Sequence, residues 1–127
     1  VIHSVSRKEL NKWYAKAMVY WHATGFGLDE FKHPEKMEHF GISTGEAMAG
    51  GAVPVVIKSG GQPEVLGKEL AEWLWQNENE CLEKTIRLIN NNNLRKEWAV
   101  KATKQIHNFD QQHFAKNIDQ MMEIIKF

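Results

Sequence analysis

The chain has 127 residues, which fits one domain with a buried core. Its 16 Lys and Arg balance its 16 Asp and Glu, so overall charge gives no argument for binding nucleic acid or an anionic membrane. A single cysteine, Cys81, excludes an internal disulfide and fits a reducing, cytoplasmic compartment. No apolar run approaches the roughly 20 residues of a membrane span, and no signal-peptide pattern is present.

The first third of the chain predicts a strand tail, a helix and a strand. The start at Val1 rather than Met predicts a piece excised from a longer protein, with a processed chain as the alternative. Residues 1–3 read as the tail of a strand. Ser6 and Glu9 have the spacing of a capping box, and apolar residues follow at helical spacing. The apolar run 18–21 predicts a buried strand.

The middle of the chain predicts a long loop, a short helix and a central strand. Residues 22–37 read as a loop, and loops of this length in compact domains often bind ligands. Residues 43–50 predict a short helix that ends at a glycine pair. The continuous β-branched run 52–57 is typical of a central parallel strand. Pro54 is expected at its start, because proline cannot donate to the ladder.

The remainder predicts a small strand and mostly helices. These elements are a short helix or turn at 64–70, a strand at 73–75, and helices at 80–90, at 94–107 and after Asp110, with an asparagine turn at 90–93. The fold class is therefore α/β, a partial Rossmann-like parallel sheet with flanking helices and a helical C-terminal extension. Three or four predicted strands, against about five or six in an open nucleotide-binding sheet, predict that the front of the domain is missing.

Two carboxylates, Glu38 and Glu46, flank a glycine and a predicted helix start. The amides of Phe40, Gly41 and Ile42 approach that helix N-terminus, where an anion or an oxygen-rich ligand is favoured. Glu46 can accept two hydrogen bonds from a ribose diol, and Glu38 can accept hydrogen bonds from sugar hydroxyls. The stretch therefore predicts a site for a phosphorylated, polyhydroxylated ligand at the carboxyl end of a parallel sheet.

A purely structural interpretation of Glu46 is equally concrete. Ser43 and Glu46 fit a capping box in which Glu46 satisfies the Ser43 amide, a contribution of about 1 kcal/mol. The eight-residue spacing of Glu38 and Glu46 is itself weak, because other glutamate pairs share it: Glu30/Glu38, Glu64/Glu72 and Glu72/Glu80.

Several linked motifs nevertheless resemble one known family. They are Glu38 and Glu46 with Phe40-Gly41, then Ala47-Met48-Ala49 with Gly51, Pro54-Val55-Val56, and Gly60-Gly61 with Pro63-Glu64-Val65. In this order they resemble the retaining glycosyltransferases of family 4, the glycosyl transferases group 1. The resemblance covers nearly the whole chain. It implies the GT-B fold, two Rossmann-like domains with the active site between them, of which residues 1–127 are a single, truncated, C-terminal nucleotide-sugar-binding domain.

The resemblance also implies roles for individual residues. Glu38 is expected to be the catalytic carboxylate beside the donor sugar, and Glu46 to hold the ribose. The remaining donor-binding expectations are the amides of Phe40, Gly41 and Ile42 at the sugar and diphosphate, His22 facing the donor, and Gly60 and Gly61 shaping the neighbouring turn.

The implied activity is hexosyl transfer in glycan biosynthesis. The expected partners are a nucleotide-diphosphate sugar, a saccharide or lipid-linked acceptor and a missing N-terminal acceptor domain, with no nucleic acid. No cofactor is expected, and no metal, because no Asp-x-Asp motif occurs. The family's basic pair for the diphosphate lies upstream, and Arg7 and Lys8 are too close to the helix start to replace it. The chain alone is therefore expected to be inactive. The intact enzyme is expected to be cytoplasmic, or peripheral to a membrane.

Other interpretations remain open. The alternatives to an enzyme are a non-catalytic nucleotide-sugar binding module and an interaction domain of the same fold. The five tryptophans are attributed mostly to core packing. Cys81 lies among glutamates, which disfavours a reactive thiolate. His22, His33 and His39 are too irregularly spaced to predict a zinc site.

Overall fold

Strand β2 (Val53–Ile57), in which every residue is buried, is the centre of a three-stranded parallel sheet. It lies between β1 (Val19–His22) and β3 (Leu74–Trp75). The structure is a computed structural model and describes residues 3–109. The parallel sheet with flanking helices confirms the predicted α/β class, and the continuous β-branched run is the central strand.

Five α-helices flank the sheet within residues 3–109. They are α1 (Arg7–Lys16), α2 (Ile42–Ala49), α3 (Gln62–Leu66), α4 (Glu78–Asn90) and α5 (Asn92–Ile106), with single 3-10 turns at Pro34–Lys36, Ala71–Trp73 and His107–Phe109. The helix predicted after Asp110, and the first two residues of the predicted strand tail, lie outside the described residues. None of the helices within 3–109 has both the length and the apolar character needed to cross a membrane.

Side-chain caps define where three of these helices begin. The predicted capping box of α1 is confirmed, since Ser6 Oγ accepts from the Glu9 amide at 3.2 Å and Glu9 Oε2 accepts from the Ser6 amide at 3.4 Å. Asn77 caps α4, and Asn91 caps α5 by accepting from the Leu94 amide at 2.9 Å. The predicted asparagine turn at 90–93 is reduced to one residue, because Asn90 ends α4, Asn92 begins α5 and only Asn91 lies between the two helices.

The core lies between β2 and the helices α2, α4 and α5. Besides β2 itself, it contains buried apolar side chains from most elements, among them Met48, Leu66, Leu70, Trp73, Trp75, Leu88 and Ala102. One face of α5 lies against this core, because Ala102 is buried and Trp98 and Ile106 pack against the buried cluster. Burial of this apolar area is the main favourable term in folding the domain.

Pro54 lies within β2 rather than at its first residue, opposite Tyr20 of β1. The Val53 N–H donates to Met18 O on the β1 side, so the next backbone nitrogen, that of Pro54, faces the β3 side. Pairing with β3 begins only at Val56. Proline therefore costs no ladder hydrogen bond here, which explains why it is tolerated in a central strand.

The prediction that residues 18–21 form a buried strand was wrong in its burial. Met18 and Trp21 are exposed, because β1 is the edge strand of the described sheet. Trp21 instead donates from Nε1 to Thr85 Oγ1 of α4 at 2.8 Å. In α4 the buried positions are Thr85 and Leu88, while three apolar residues at helical spacing, Leu82, Ile86 and Ile89, are exposed.

Candidate functional site

The carboxyl ends of the three parallel strands lie at one edge of the sheet, and the predicted site residues gather there. His22, predicted as the first residue of a loop, is the last residue of β1. The loop after it carries Glu38, and the Gly60–Gly61 turn follows β2. Loops at this edge are where open α/β sheets bind ligands.

The Glu38 carboxylate is held by three hydrogen-bonding groups. Its Oε1 accepts from the amides of Phe40 at 3.2 Å and Gly41 at 3.1 Å. Its Oε2 lies 3.3 Å from His22 Nε2. The Gly41 amide, followed by the Phe40 amide and the His22 charge, lowers the pKa of Glu38 below its usual value against the opposing effect of burial. Glu38 is therefore ionised at neutral pH and fixed in direction.

The two ring nitrogens of His22 have different surroundings. Nε2 faces the Glu38 carboxylate, whereas Nδ1 is buried and has no hydrogen-bond partner among the described residues.

The start of α2 tests the structural interpretation of Glu46. The N-cap is Gly41, with φ +59°, and no side chain caps the helix. Ser43 lies inside α2, where its Oγ accepts from the Tyr20 hydroxyl at 2.8 Å. The capping-box interpretation is therefore wrong, because the N-cap is Gly41, two residues before Ser43, and α2 begins at Ile42. Glycine is required at position 41, since a side chain would be strained there and would also meet Val65 at 3.0 Å.

Glu46 lies one turn into α2 and pairs with Arg7, the first residue of α1. The Glu46 side chain is 24% exposed and that of Arg7 is 65% exposed. The pair uses Glu46 Oε1, which leaves hydrogen-bonding capacity on the carboxylate. Sequence reasoning missed this role of Arg7. The partners lie 39 residues apart and meet only because α1 packs against α2.

The Gly60–Gly61 turn packs directly on the backbone of the Glu38 loop. The Gly61 N–H donates to Glu38 O at 2.7 Å. A Cβ on Gly60 would lie 2.3 Å from Glu38 O, and a Cβ on Gly61 would lie 2.3 Å from His39 O. Only glycine allows this approach. The turn therefore holds the backbone of Glu38, while the amides of Phe40 and Gly41 hold its side chain.

A buried polar pair joins α2 to α3 behind the site. Thr44 Oγ1 donates to Gln62 Oε1 at 2.9 Å, and both residues are fully buried. Gln62 Nε2 is buried without a partner among the described residues. This pair, which the sequence did not indicate, couples the position of α2 to the segment after the glycine turn.

The structure brings some of the predicted residues together and keeps others apart. The residues that contact Glu38 are His22, Phe40, Gly41, Gly60 and Gly61. Ile42 begins α2 immediately beyond them, and Glu46 is bound to Arg7 rather than to this cluster.

Within residues 3–109 no three His, Cys, Asp or Glu side chains converge as metal ligands. Burial raises the pKa of the Cys81 thiol, so it is protonated at neutral pH.

Comparison with known proteins gives one match. A family model described as "Glycosyl transferases group 1" matches residues 1–105. No curated protein and no solved structure matches the chain significantly. The matched range contains all three strands and every residue of the site described above.

Substitution of Gly61 by Ala tests the contact between the turn and the Glu38 loop. The new Cβ would lie 2.3 Å from a backbone oxygen that cannot move away alone, so we expect a loss of roughly 1–3 kcal/mol in the free energy of unfolding, measured with urea. In the matched control, Gly45→Ala, the Cβ meets the flexible end of Ile106 at 2.8 Å, and helix propensity favours alanine. Equal stability of Gly61→Ala and the wild type would contradict the contact.

Substitution of Glu38 by Gln tests the lowered pKa of its carboxyl. Because the folded state binds this proton less readily than the unfolded state, ionised Glu38 stabilises the fold above the usual value of 4.5, and that contribution is lost as pH falls through the folded pKa. We expect the stability difference between the wild type and Glu38→Gln to shrink between about pH 7 and about pH 3.

Urea unfolding at both pH values measures this difference. Glu69→Gln, a substitution at an exposed glutamate, is the control for general charge effects. A difference for Glu38→Gln that is the same at both pH values would contradict the assignment.

Proposed function

Because the chain belongs to the glycosyl transferases group 1 family, we propose that it is the donor-binding part of a retaining glycosyltransferase of family 4. The intact enzyme would transfer a hexosyl group from a nucleotide-diphosphate sugar to a saccharide or lipid-linked acceptor in the cytoplasm. The observation that supports this proposal best is the fixed, ionised Glu38 at the carboxyl edge of the sheet, between His22, the start of α2 and a glycine turn.

Glu38 is proposed to act as an anion beside the reacting carbon. In the transfer, the bond between sugar C1 and the diphosphate breaks, a bond from C1 to the acceptor oxygen forms, and the proton of the acceptor hydroxyl passes to the leaving diphosphate. The sugar ring gains positive charge as the first bond breaks. A carboxylate with a lowered pKa is ionised at neutral pH, so it would stabilise that charge rather than donate a proton.

The amides at the start of α2 are proposed to serve the donor in two ways. The N–H groups of Phe40 and Gly41 already donate to Glu38, so their contribution would be to orient that carboxylate. The Ile42 N–H, at the first turn of the helix, would face the diphosphate, where the helix dipole favours an anion. His22, which contacts the Glu38 carboxylate, would lie beside the donor sugar.

Glu46 is proposed to bind the nucleotide ribose. Its ion pair with Arg7 uses one carboxylate oxygen, and its second oxygen would remain for the ribose hydroxyls. The same ion pair is the observation that favours the second candidate function. In a non-catalytic binding module or an interaction domain of this fold, the carboxylate would simply connect α1 to α2.

The described residues are proposed to be part of a larger domain. Apolar side chains are exposed along the edge strand at Met18 and Trp21, and along α4 at Leu82, Ile86 and Ile89, as expected where further chain covers them. That further chain would supply the acceptor domain and the basic groups that stabilise the leaving diphosphate. Since such groups carry a large share of catalysis, the chain alone is proposed to have no transferase activity.

Binding of nucleotide sugars by the intact protein separates these functions. We expect one of the UDP-, GDP- or ADP-sugars to bind. Glu46→Gln should raise its dissociation constant by roughly 10–100-fold, because charged hydrogen bonds to the ribose are lost. Arg7→Gln is the matched control, because it breaks the same ion pair and leaves the carboxylate in place.

The measurement is isothermal titration calorimetry. A donor that binds the wild type and Arg7→Gln with similar affinity, and Glu46→Gln roughly 10–100-fold more weakly, supports the ribose role. Equal binding by Glu46→Gln would contradict that role, and no donor binding by folded protein would favour the interaction domain.

A further inference from the structure

Helix α1 concentrates positive charge that the chain as a whole does not have. The full sequence has 16 cationic and 16 anionic side chains, whereas α1 carries four cations and one anion. Two of these five charges are already engaged. Arg7 pairs with Glu46, and Glu9 accepts from the Ser6 amide in the capping box. The remaining charges of α1 belong to three lysines: Lys8, Lys12 and Lys16.

These three lysines form a stripe along the outer side of α1. Their side chains are exposed, and residues four apart share one face of a helix. The opposite side of α1 packs on the domain, where Tyr14 lies against Gly50 and against the ring of Tyr20. Within residues 3–109 no carboxylate forms an ion pair with a lysine of the stripe. Since like charges four apart repel each other, an anionic surface would stabilise this row.

Trp13 borders the lysine stripe. It lies three residues before Lys16, so the two side chains are neighbours on the helix surface. The Trp13 side chain is 51% exposed, whereas Trp73 and Trp75 belong to the core. Exposed indole rings beside lysines are typical of helices that lie on a lipid surface, because the ring suits the headgroup level and the lysines attract anionic headgroups.

We propose that the outer face of α1 docks on the anionic surface of a membrane, with the lysine stripe at the headgroups and Trp13 at the interface. Each lysine near such a surface adds to the attraction, which falls off within a Debye length. A membrane fits better than nucleic acid, because nucleic-acid-binding domains are basic overall and this chain has a net charge of zero. These four side chains have no role in the proposed donor site, so the inference does not rest on the proposed function.

Co-sedimentation of the intact protein with lipid vesicles tests this inference. The wild type should bind phosphatidylcholine vesicles that contain about 30% phosphatidylglycerol, and should not bind vesicles of phosphatidylcholine alone. The triple variant Lys8→Gln, Lys12→Gln, Lys16→Gln should lower the partition coefficient roughly ten- to hundredfold, because three attractive charges are removed. Trp13→Ala should lower it roughly three- to tenfold.

A matched triple variant makes the same change of charge elsewhere. Lys36→Gln, Lys68→Gln and Lys96→Gln remove three exposed lysines that lie outside α1, and should change the partition coefficient by less than about twofold. Circular dichroism checks that every variant is folded. Nucleotide-sugar binding, measured on the same proteins, should be equal in the wild type and in both triple variants. Vesicle binding that depends on the stripe supports the inference even if no nucleotide sugar binds.

Several results would overturn the docking face. They are a wild type that does not bind anionic vesicles, equal loss of binding in the two triple variants, and unchanged binding by the stripe variant or by Trp13→Ala. A DNA duplex is tested in parallel. Dependence of duplex binding, and not of vesicle binding, on the three lysines of α1 would assign the stripe to nucleic acid instead.

Discussion

The close contact between the Gly60–Gly61 turn and the backbone of residues 38–39 is the constraint on which the site depends. The Gly61 amide donates to Glu38 O at 2.7 Å, and a side chain on either glycine would collide with that backbone. The turn follows β2, in which every residue is buried, so the exposed Glu38 loop is held by a segment that continues directly from the core. Glu30, earlier in the same loop, also accepts hydrogen bonds from this turn, so the loop is attached to the turn at two places.

Helix α2 gives this anchored loop its chemistry. Its N-terminus attracts an anion, and in the structure the Glu38 carboxylate fills that role through the Phe40 and Gly41 amides. A protein anion at a helix N-terminus is both stabilised and oriented, since its hydrogen bonds favour the charged form. The carboxylate thus needs little reorganisation when a ligand arrives, which is the arrangement expected for electrostatic stabilisation of a transition state.

The sequence allowed the central strand and the start of the site to be predicted, because their signals are local. The β-branched run of β2 and the glycine at position 41 each require one kind of backbone. The capping-box interpretation failed because the N-cap is Gly41, in a left-handed conformation, and not Ser43 two residues later. The Arg7–Glu46 pair depends on how two helices pack. Which face of α4 is buried depends on the elements that pack against it. Neither has a local signal.

We propose that the edge around Glu38 is the donor site, and backbone amide chemical shifts test this proposal most directly. A nitrogen-15-labelled protein would be titrated with UDP-glucose, GDP-mannose and ADP-glucose. We expect one donor to shift the amides of residues 40–46 and 59–61 most, with smaller changes elsewhere in the domain. Shifts confined to the exposed face of α4, or shifts absent from residues 40–46 when a donor binds, would contradict it.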